Sequence, residues 1–530
     1  MQRGEANYTC GSMDQKDPLP WTRPDLAAAL ALAGLAVALR LAPGLRTIDD
    51  AYITYRYARN IAAGIGFVYN PGEHVLGTTT PLYTLLLALV GLVLRSDAYP
   101  QFSAVINALA DGANAVLLYG MARRLFEHSL PGTILGLLWA VAPRSVTFAI
   151  GGMETSVYIA LMLGAFAAWL GGRTLLVAAL AALATLTRPD ALIWAGPLAL
   201  AMIGQAWHTR RHDPLLHRLP WAEGGVFLTV LLPWLVYGTL TFGSPLTRTI
   251  AAKSVAYILP PHQALTALIQ QFATPFGEFS AFGPPGAMAG SLVYPVLALL
   301  GGLFLFHIDR RTLPLTAFPW LLFAAYALAN PLMFRWYAVP ALPVYFLSIA
   351  AGAWGLAGRL IGEARARWVL GVAGLFWLAL SLNAWEMHPT HGPDRPTPEM
   401  AWFELELLYE QAGRDLALLI SEDTVIAAGD IGAIGWYSGA RILDTVGLVS
   451  PESTAYYPVD PSMLATTVYA VAPDLILDQR PDYIVILETY GRNGLLKDPR
   501  FAALYRLRSR LETNIYSSDG MLVFELRDRL

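Results

Sequence analysis

The chain has 530 residues, 55% of them hydrophobic and only 14% charged, with a formal net charge of −3; ordinary soluble domains carry about 25% charged residues. No dense basic surface is available for tracking phosphates, which argues against nucleic-acid binding, and the single Cys10 excludes an internal disulfide framework or a cysteine-based metal cluster. Residues 387–530 hold 21 acidic and 12 basic side chains, whereas the preceding 386 residues net +6, so a membrane part is followed by an acidic soluble part.

A span needs about 20 mostly apolar residues, and flanking Lys and Arg stay cytoplasmic. After a polar cytoplasmic tail at 1–24, the run Leu26–Leu41 reads as the first span and as an anchor, with no cleavage site behind it. Asn7-Tyr8-Thr9 fits a glycosylation acceptor but falls in that tail. Leu82–Leu94 is short and ends at Arg95, which suits a helix lying in the interface.

With that helix left out, the charges fall into register. Phe102–Met121 crosses inward to Arg123-Arg124, Ile134–Ile150 outward, Val157–Leu170 inward to Arg173, and Leu175–Leu186 outward. Ala191–Trp207 returns to the basic loop at 208–212, Val226–Phe242 goes out, and Ala289–Phe306 comes back to Arg310-Arg311. Leu315–Phe334 then goes out, Ala338–Ala357 returns to Arg359, Arg365 and Arg367, and Val369–Trp385 leaves the rest outside. The expected fold class is a polytopic α-helical membrane protein of about eleven transmembrane helices, N-terminus in. Its membrane module occupies 25–386, with two long outward loops at 43–96 and 243–286. An extracytoplasmic α/β domain follows at 387–530.

Within the second loop, Leu265–Phe272 is amphipathic and Pro260-Pro261 marks a turn. In the tail, Thr424–Ala428 and Tyr483–Leu487 read as buried strands and Trp402–Ile420 as a helix. Asn514–Tyr516 and Met521–Glu525 read as the arms of a terminal hairpin around Ser517–Gly520.

Chemistry tends to live on such loops. Asp49 and Asp50 stand side by side just after the first span, with Tyr52, Arg56 and Arg59 following on the same segment. One Asp, either of the two, suffices to cap a helix that Gly64 would end; a carboxylate at a lipid–water boundary beside arginines suits a general base near an anionic leaving group. Glu154 and Asp190, the latter beside Arg188, lie at outward ends of spans and so share that face. The plain alternatives are a helix-dipole contact for Glu154 and an Arg188–Asp190 salt bridge. Lys253, one of only three lysines, and Arg335 also face outward, against the positive-inside bias, as a lipid phosphate would require. No phosphate-binding Gly-x-x-x-x-Gly-Lys loop and no zinc-ligand spacing occurs. The glycine-rich run Gly429–Gly435 follows a strand but lacks the dinucleotide fingerprint.

Asp49-Asp50-Ala-Tyr-Ile-Thr-Tyr-Arg-Tyr-Ala-Arg-Asn60, Gly66-Phe-Val-Tyr-Asn-Pro-Gly-Glu73 and Thr80-Pro81-Leu82-Tyr83, taken in order, resemble the polytopic GT-C glycosyltransferases. Gly152-Met-Glu154-Thr, Thr187-Arg-Pro-Asp190, Gly243-Ser-Pro-Leu246 and Arg335-Trp-Tyr extend the likeness, and Asp430–Gly439 with Pro481–Ile486 carries it into the tail. Within that group the chain is most similar to bacterial terminal arabinofuranosyltransferases and protein-mannosyltransferase-like enzymes. The resemblance implies transfer of a sugar from a polyprenyl-phosphate donor to an extracytoplasmic glycan, lipid or protein, usually with inversion, in the cytoplasmic membrane. It places the catalytic carboxylate at the first of the pair, Asp49. Relatives moving aminoarabinose or mannose often carry a charge before Pro-Leu-Tyr; Thr78-Thr79-Thr80 stands here, which leaves the sugar open.

The resulting expectation has Asp49 as base, Asp50 and Glu154 orienting, and Arg56, Lys253 and Arg335 holding the leaving phosphate. Arg59, Arg188, Asp190 and Tyr52 support them. Nothing in the sequence demands a cofactor, although several carboxylates on one face are compatible with a divalent metal. A polyprenyl-linked sugar flippase or carrier is the alternative; it would not need the paired carboxylates.

Overall fold

A computed structural model describes residues 20–527 except 213, 215–216, 218, 389–393 and 401–402. Asn7–Thr9, Cys10, Lys16 and Trp402 lie outside the described residues. Helix α1 (Arg23–Leu41) starts in a capping box, Thr22 and Asp25 satisfying each other's main-chain N–H. It leads into α2 (Asp49–Ala62) and α3 (Pro81–Leu94) of the first loop. There follow α4 (Tyr99–Phe126), α5 (Ser129–Val141), α6 (Pro143–Ile150), α7 (Thr155–Leu170), α8 (Thr174–Thr187), α9 (Leu192–Thr209) and α10 (Trp221–Phe242). The second loop carries α11 (Thr249–Ala256) and α12 (Gln263–Ala273), and α13 (Glu278–Ile308), α14 (Leu313–Ala329), α15 (Leu342–Ile361) and α16 (Glu363–Asn383) complete this part.

Among the described residues, seven helices are long and apolar enough to cross a membrane, eight if the α5–α6 pair counts as one span. That pair bends by 49° at Ala142-Pro143, where proline withholds its N–H and breaks the ladder. The remaining expected spans fall on α7, α8 and α9, which do not pass that test. Large apolar side chains such as Leu240 and Leu328 stand more than 80% exposed on helix flanks, which only a lipid surround tolerates on this scale. The chain is a multi-pass membrane protein.

Three boundaries differ from expectation, the first being that α13 begins at Glu278, inside the loop expected to run to 286. The run Leu315–Phe334 is helical only to Ala329, because Asn330 turns left-handed and Pro331 has no N–H to continue. The next helix starts at Leu342, after two short 3₁₀ turns at Arg335–Tyr337 and Val339–Ala341. The helices pack closely. A Cβ on Gly301 of α13 would lie 1.8 Å from the Ser348 carbonyl of α15, and one on Gly352 would lie 2.0 Å from that of Leu297, the close crossing that small residues permit in membranes. One charged pair sits inside the bundle: Arg40 donates to Asp111 at 2.9 Å and to the carbonyls of Trp139 and Ala140. Asp111 also accepts from Asn114, Trp139 and Ser156. Full satisfaction of this kind lets buried charge persist in a membrane.

Beyond α16, β1 (Trp385–His388) and β2 (Arg395–Pro398) form a small antiparallel ribbon. Helix α17 (Phe403–Ala417) precedes a five-stranded sheet built from β3 (Val425–Ala428), β4 (Arg441–Asp444), β5 (Tyr483–Leu487), β6 (Tyr505–Leu511) and β7 (Met521–Leu526). The spatial order is β4-β3-β5-β7-β6; the first three are parallel and β7 and β6 antiparallel. Crossover helices α18 (Gly432–Ser438) and α19 (Pro473–Gln479) join the parallel strands. The first arm of the terminal hairpin is therefore β6, not Asn514–Tyr516, which fall in or beside a 3₁₀ turn. Exposed arginines alternate along β6 and hide its strand pattern; Arg506 and Arg508 each pair with Glu525 of β7 at 3.0 Å.

Candidate active site

Helix α2 lies between α3 and α18 of the C-terminal domain, with residues 51–58 all buried. Its first turn carries Asp49 and Asp50, where the helix dipole favours negative charge. Neither caps α2, whose N-cap position is Ile48. Asp49 instead caps α18: its Oδ2 accepts from the Gly432 N–H at 2.8 Å and its Oδ1 from the Ala433 N–H at 2.7 Å. Its carboxyl is pushed well up by burial and by the Asp430 charge, against those two N–H groups.

Arg56 is also committed to this docking. It donates to the carbonyls of Tyr69 (2.9 Å), Gly435 (2.7 Å) and Ala440 (2.7 Å) and stacks on the Tyr69 ring. Arg56, expected at a phosphate, is buried with its donors on these carbonyls and on the Asn70 side chain. Tyr52 pairs its hydroxyl with that of Tyr437 at 2.9 Å, and Arg59 stacks on Trp436 at 4.4 Å. Asn70 completes the seam by pairing with the main chain of Ile442 on edge strand β4 (2.9 and 3.1 Å).

Asp50, one residue on, is half-buried. Lys253 of α11, Asp430 at the end of β3, and Tyr337 all lie within its electrostatic reach. Burial would lower the Lys253 ammonium, but Tyr337, Asp50, Asp430 and Asp444 outweigh it and hold it above its ordinary range. The Lys253 Nζ lies 4.4 Å from the centre of the Phe334 ring. Asp430 accepts the Tyr409 hydroxyl; burial pushes its carboxyl up, the Tyr409 bond opposes this, and the Asp50 charge adds to it.

Glu154 and Asp190 meet on one arginine. Arg188 reaches Glu154 at 3.2 Å and grips both oxygens of Asp190 at 3.1 and 2.8 Å, and Tyr326 donates to Asp190 at 2.8 Å. Tyr337 lies under Arg188 at 5.7 Å and links this knot to Asp50 and Lys253. Arg335 stands exposed at the start of its turn, near Tyr516. Among the described residues no three His, Cys, Asp or Glu side chains are grouped so as to hold a metal ion.

Asp430, Tyr409 and Glu406 were not singled out from the sequence. The available signal was Gly429-Asp430 directly after a buried strand, because parallel sheets bind ligands at the carboxyl ends of their strands. In the sheet, β3 lies between β4 and β5, and the chain leaves it for β4 on one side and returns to β5 on the other. Asp430 thus sits at the point where the winding reverses.

Residues 401–524 match a domain family described as a domain of unknown function (DUF8728). No curated protein matches the chain. Among solved structures, ArnT from Cupriavidus metallidurans bound to undecaprenyl phosphate is similar at 12% identity and a TM-score of 0.53, over 94% of this chain and 97% of that one. The apo state of the same protein matches over the same shares at 12% identity and a TM-score of 0.55. The chain therefore shares the fold of that structure, a polytopic helical membrane part carrying a C-terminal α/β domain.

Proposed function

We propose that this protein is a membrane glycosyltransferase that moves a sugar from a polyprenyl-phosphate donor to a hydroxyl acceptor on the extracytoplasmic side. The observation that carries the reading is the half-buried Asp50 within electrostatic reach of Lys253, in a fold shared with a protein solved with undecaprenyl phosphate. Orientation follows from the basic clusters at Arg123-Arg124 and Arg310-Arg311, which gather at one end of the bundle, Arg124 within reach of Arg311. By the positive-inside rule that end is cytoplasmic, in the inner membrane.

Asp50 takes the proton from the acceptor hydroxyl as that oxygen attacks the anomeric carbon. The bond from that carbon to the phosphate oxygen breaks, its electron pair leaving on the polyprenyl phosphate, with inversion. Lys253 and Arg335 neutralise the leaving charge. This reading puts the base at Asp50 rather than Asp49, because Asp49 is buried with both oxygens accepting main-chain N–H groups while Asp50 is half-buried. Asp49 instead fixes the domain over the site, and the Arg188 knot holds Tyr337 beside Lys253. A crevice of about 440 Å³ between α8, α9 and α10 is lined by apolar side chains such as Leu192, Met202 and Phe227, the character an isoprenoid chain needs.

The test is turnover by the purified full chain in nanodiscs with a panel of farnesyl-phosphoryl sugars (arabinofuranose, mannose, galactose and aminoarabinose) and a mixed glycan, lipid and peptide acceptor pool. Release of farnesyl phosphate by wild type, cut 100- to 10,000-fold in Asp50→Asn with lipid binding retained, is expected, since general-base help is typically worth about that much. Release that survives Asp50→Asn but not Asp49→Asn would return the base to Asp49. No release from any member would favour a carrier, checked by sugar-lipid movement across liposomes.

A further inference from the structure

Lys253 sits on the buried face of α11 with Thr249, Ala252 and Ala256, at the i, i+3, i+4, i+7 spacing where an apolar side chain is expected. The helix is pinned at both ends. Thr247 and Thr249 donate to the carbonyls of Leu76 and Gly77 in the first loop, each at 3.1 Å. Beyond its far end, the Ile258 N–H donates to the Val468 carbonyl of the C-terminal domain at 2.9 Å. Among the described residues no carboxylate lies within 4.0 Å of the Lys253 ammonium, and no acceptor takes a hydrogen bond from it. Its contact is the face of Phe334, whose ring centre lies 4.4 Å from Nζ.

That ring is itself fixed. It stacks on Trp336 at 4.5 Å, the two planes 11° apart, and meets Tyr337 edge-on at 5.8 Å. Trp336 packs in turn against Phe148 of α6 at 6.1 Å. Phe334 follows the break at Asn330, whose side chain accepts from the Ala264 N–H at 2.9 Å and donates to the Pro260 carbonyl at 3.1 Å. The ring and α11 are therefore tied to the same second loop.

A lysine head swings on a flexible four-carbon stem, and ordering it costs rotamer entropy. A carboxylate would hold the head, but would also cancel its charge and take up its donors. An aromatic face attracts an ammonium through its quadrupole and brings no negative charge, so the cation keeps N–H donors for an anion. We propose that Phe334 is a positioning residue for Lys253, its ring face holding the ammonium in place while leaving charge and donors open to a phosphate. Phe334 acts through Lys253 and touches no reacting atom. The phosphate in this inference rests on the glycosyl-transfer reading; the ring contact does not.

The chain has only three lysines, Lys16, Lys253 and Lys497, so the contact is open to NMR. Reductive methylation with isotope-labelled formaldehyde keeps the lysine charge. On the full chain in detergent, one dimethyl-lysine signal should stand upfield, moved by the ring, and vanish in Lys253→Met. In Phe334→Leu it should return to an ordinary position, whereas Phe334→Tyr should keep it shifted. Calorimetry on unmodified protein should show farnesyl phosphate binding weakened about 3- to 30-fold in Phe334→Leu and restored in Phe334→Tyr. An unchanged Lys497 signal and the tyrosine rescue separate this loss from a folding defect. An unshifted Lys253 signal in wild type, a shift that survives Phe334→Leu, or equal farnesyl phosphate binding by Phe334→Leu and wild type would overturn the inference. Equal turnover by wild type and Phe334→Leu sinks this inference and leaves the transferase reading standing. A Phe334-dependent shift with lipid-phosphate binding, but no turnover from any donor, sinks the transferase reading alone.

Discussion

The carboxylate of Asp49 accepts the main-chain N–H of Gly432 at 2.8 Å across a separation of 383 residues. One aspartate in the first loop thus ends a helix it does not belong to, and the contact joins the membrane part to the domain that closes over it. Removing it in Asp49→Ala leaves the N–H groups of Gly432 and Ala433 buried without an acceptor, at about 1–3 kcal/mol for each. Thermal unfolding of the variant should show a clear fall in midpoint, whereas Asp50→Asn should lose turnover with its midpoint nearly unmoved. If the two variants exchange these phenotypes, the roles assigned to the pair are wrong.

Gly432 is as constrained as its partner. A Cβ there would lie 1.8 Å from the Asp49 carbonyl oxygen and 2.8 Å from its carboxyl carbon. Since one of these is main chain, α18 must move. Gly432→Ala is expected to destabilise at least as much as Asp49→Ala, and the double variant should add little, because both break one contact. Full additivity in unfolding measurements would show that they act on separate features.

Arg56→Lys tests the other half of the seam. The guanidinium reaches three carbonyls in three directions and stacks on Tyr69; a lysine ammonium has neither the span nor the flat face. A loss of roughly 2–4 kcal/mol is expected. Stability equal to wild type, with weakened binding of farnesyl phosphate, would restore Arg56 to the phosphate-binding set.

Much of the scaffold was legible before any coordinates, because spans are written as apolar length and loops as charge. The short helix α3, the amphipathic α12 and the buried strands β3 and β5 follow from such patterns. What sequence spacing could not supply was partnership across the chain. Asp49, Asp50 and Arg56 look alike as polar residues on one outward segment, and only the docked domain divides them into two fasteners and one open carboxylate. Arg40 and Asp111 were invisible for a related reason, since one charge inside an apolar run gives no hint of the other 71 residues away.

Asp444 gives a pH-dependent test. At the end of β4 it is fully buried, and burial pushes its carboxyl up to about 6 against the N–H groups of the loop at 446–449. An acid whose pKa is raised on folding binds more protons folded than unfolded. Its contribution to stability is therefore complete below about pH 4 and is lost as the pH climbs through about 6. Unfolding midpoints between pH 4 and 7 should fall more steeply for wild type than for Asp444→Asn. Parallel slopes would show that Asp444 does not titrate in this window.

The knot at Arg188 separates a structural from a chemical role for Glu154. Glu154 and Asp190 are both largely buried and share one guanidinium. Arg188→Met strands two carboxylates, and breaking a buried pair by removing one partner costs about 3–5 kcal/mol. Glu154→Gln removes a charge but keeps a hydrogen-bonding oxygen for Arg188, so it should be far milder. If Glu154 only holds Arg188, and through it Tyr337, then Glu154→Gln keeps turnover within about tenfold of wild type while Arg188→Met fails to fold stably. A fall in turnover as deep as that of Asp50→Asn, at unchanged stability, would instead put Glu154 in contact with the reacting atoms.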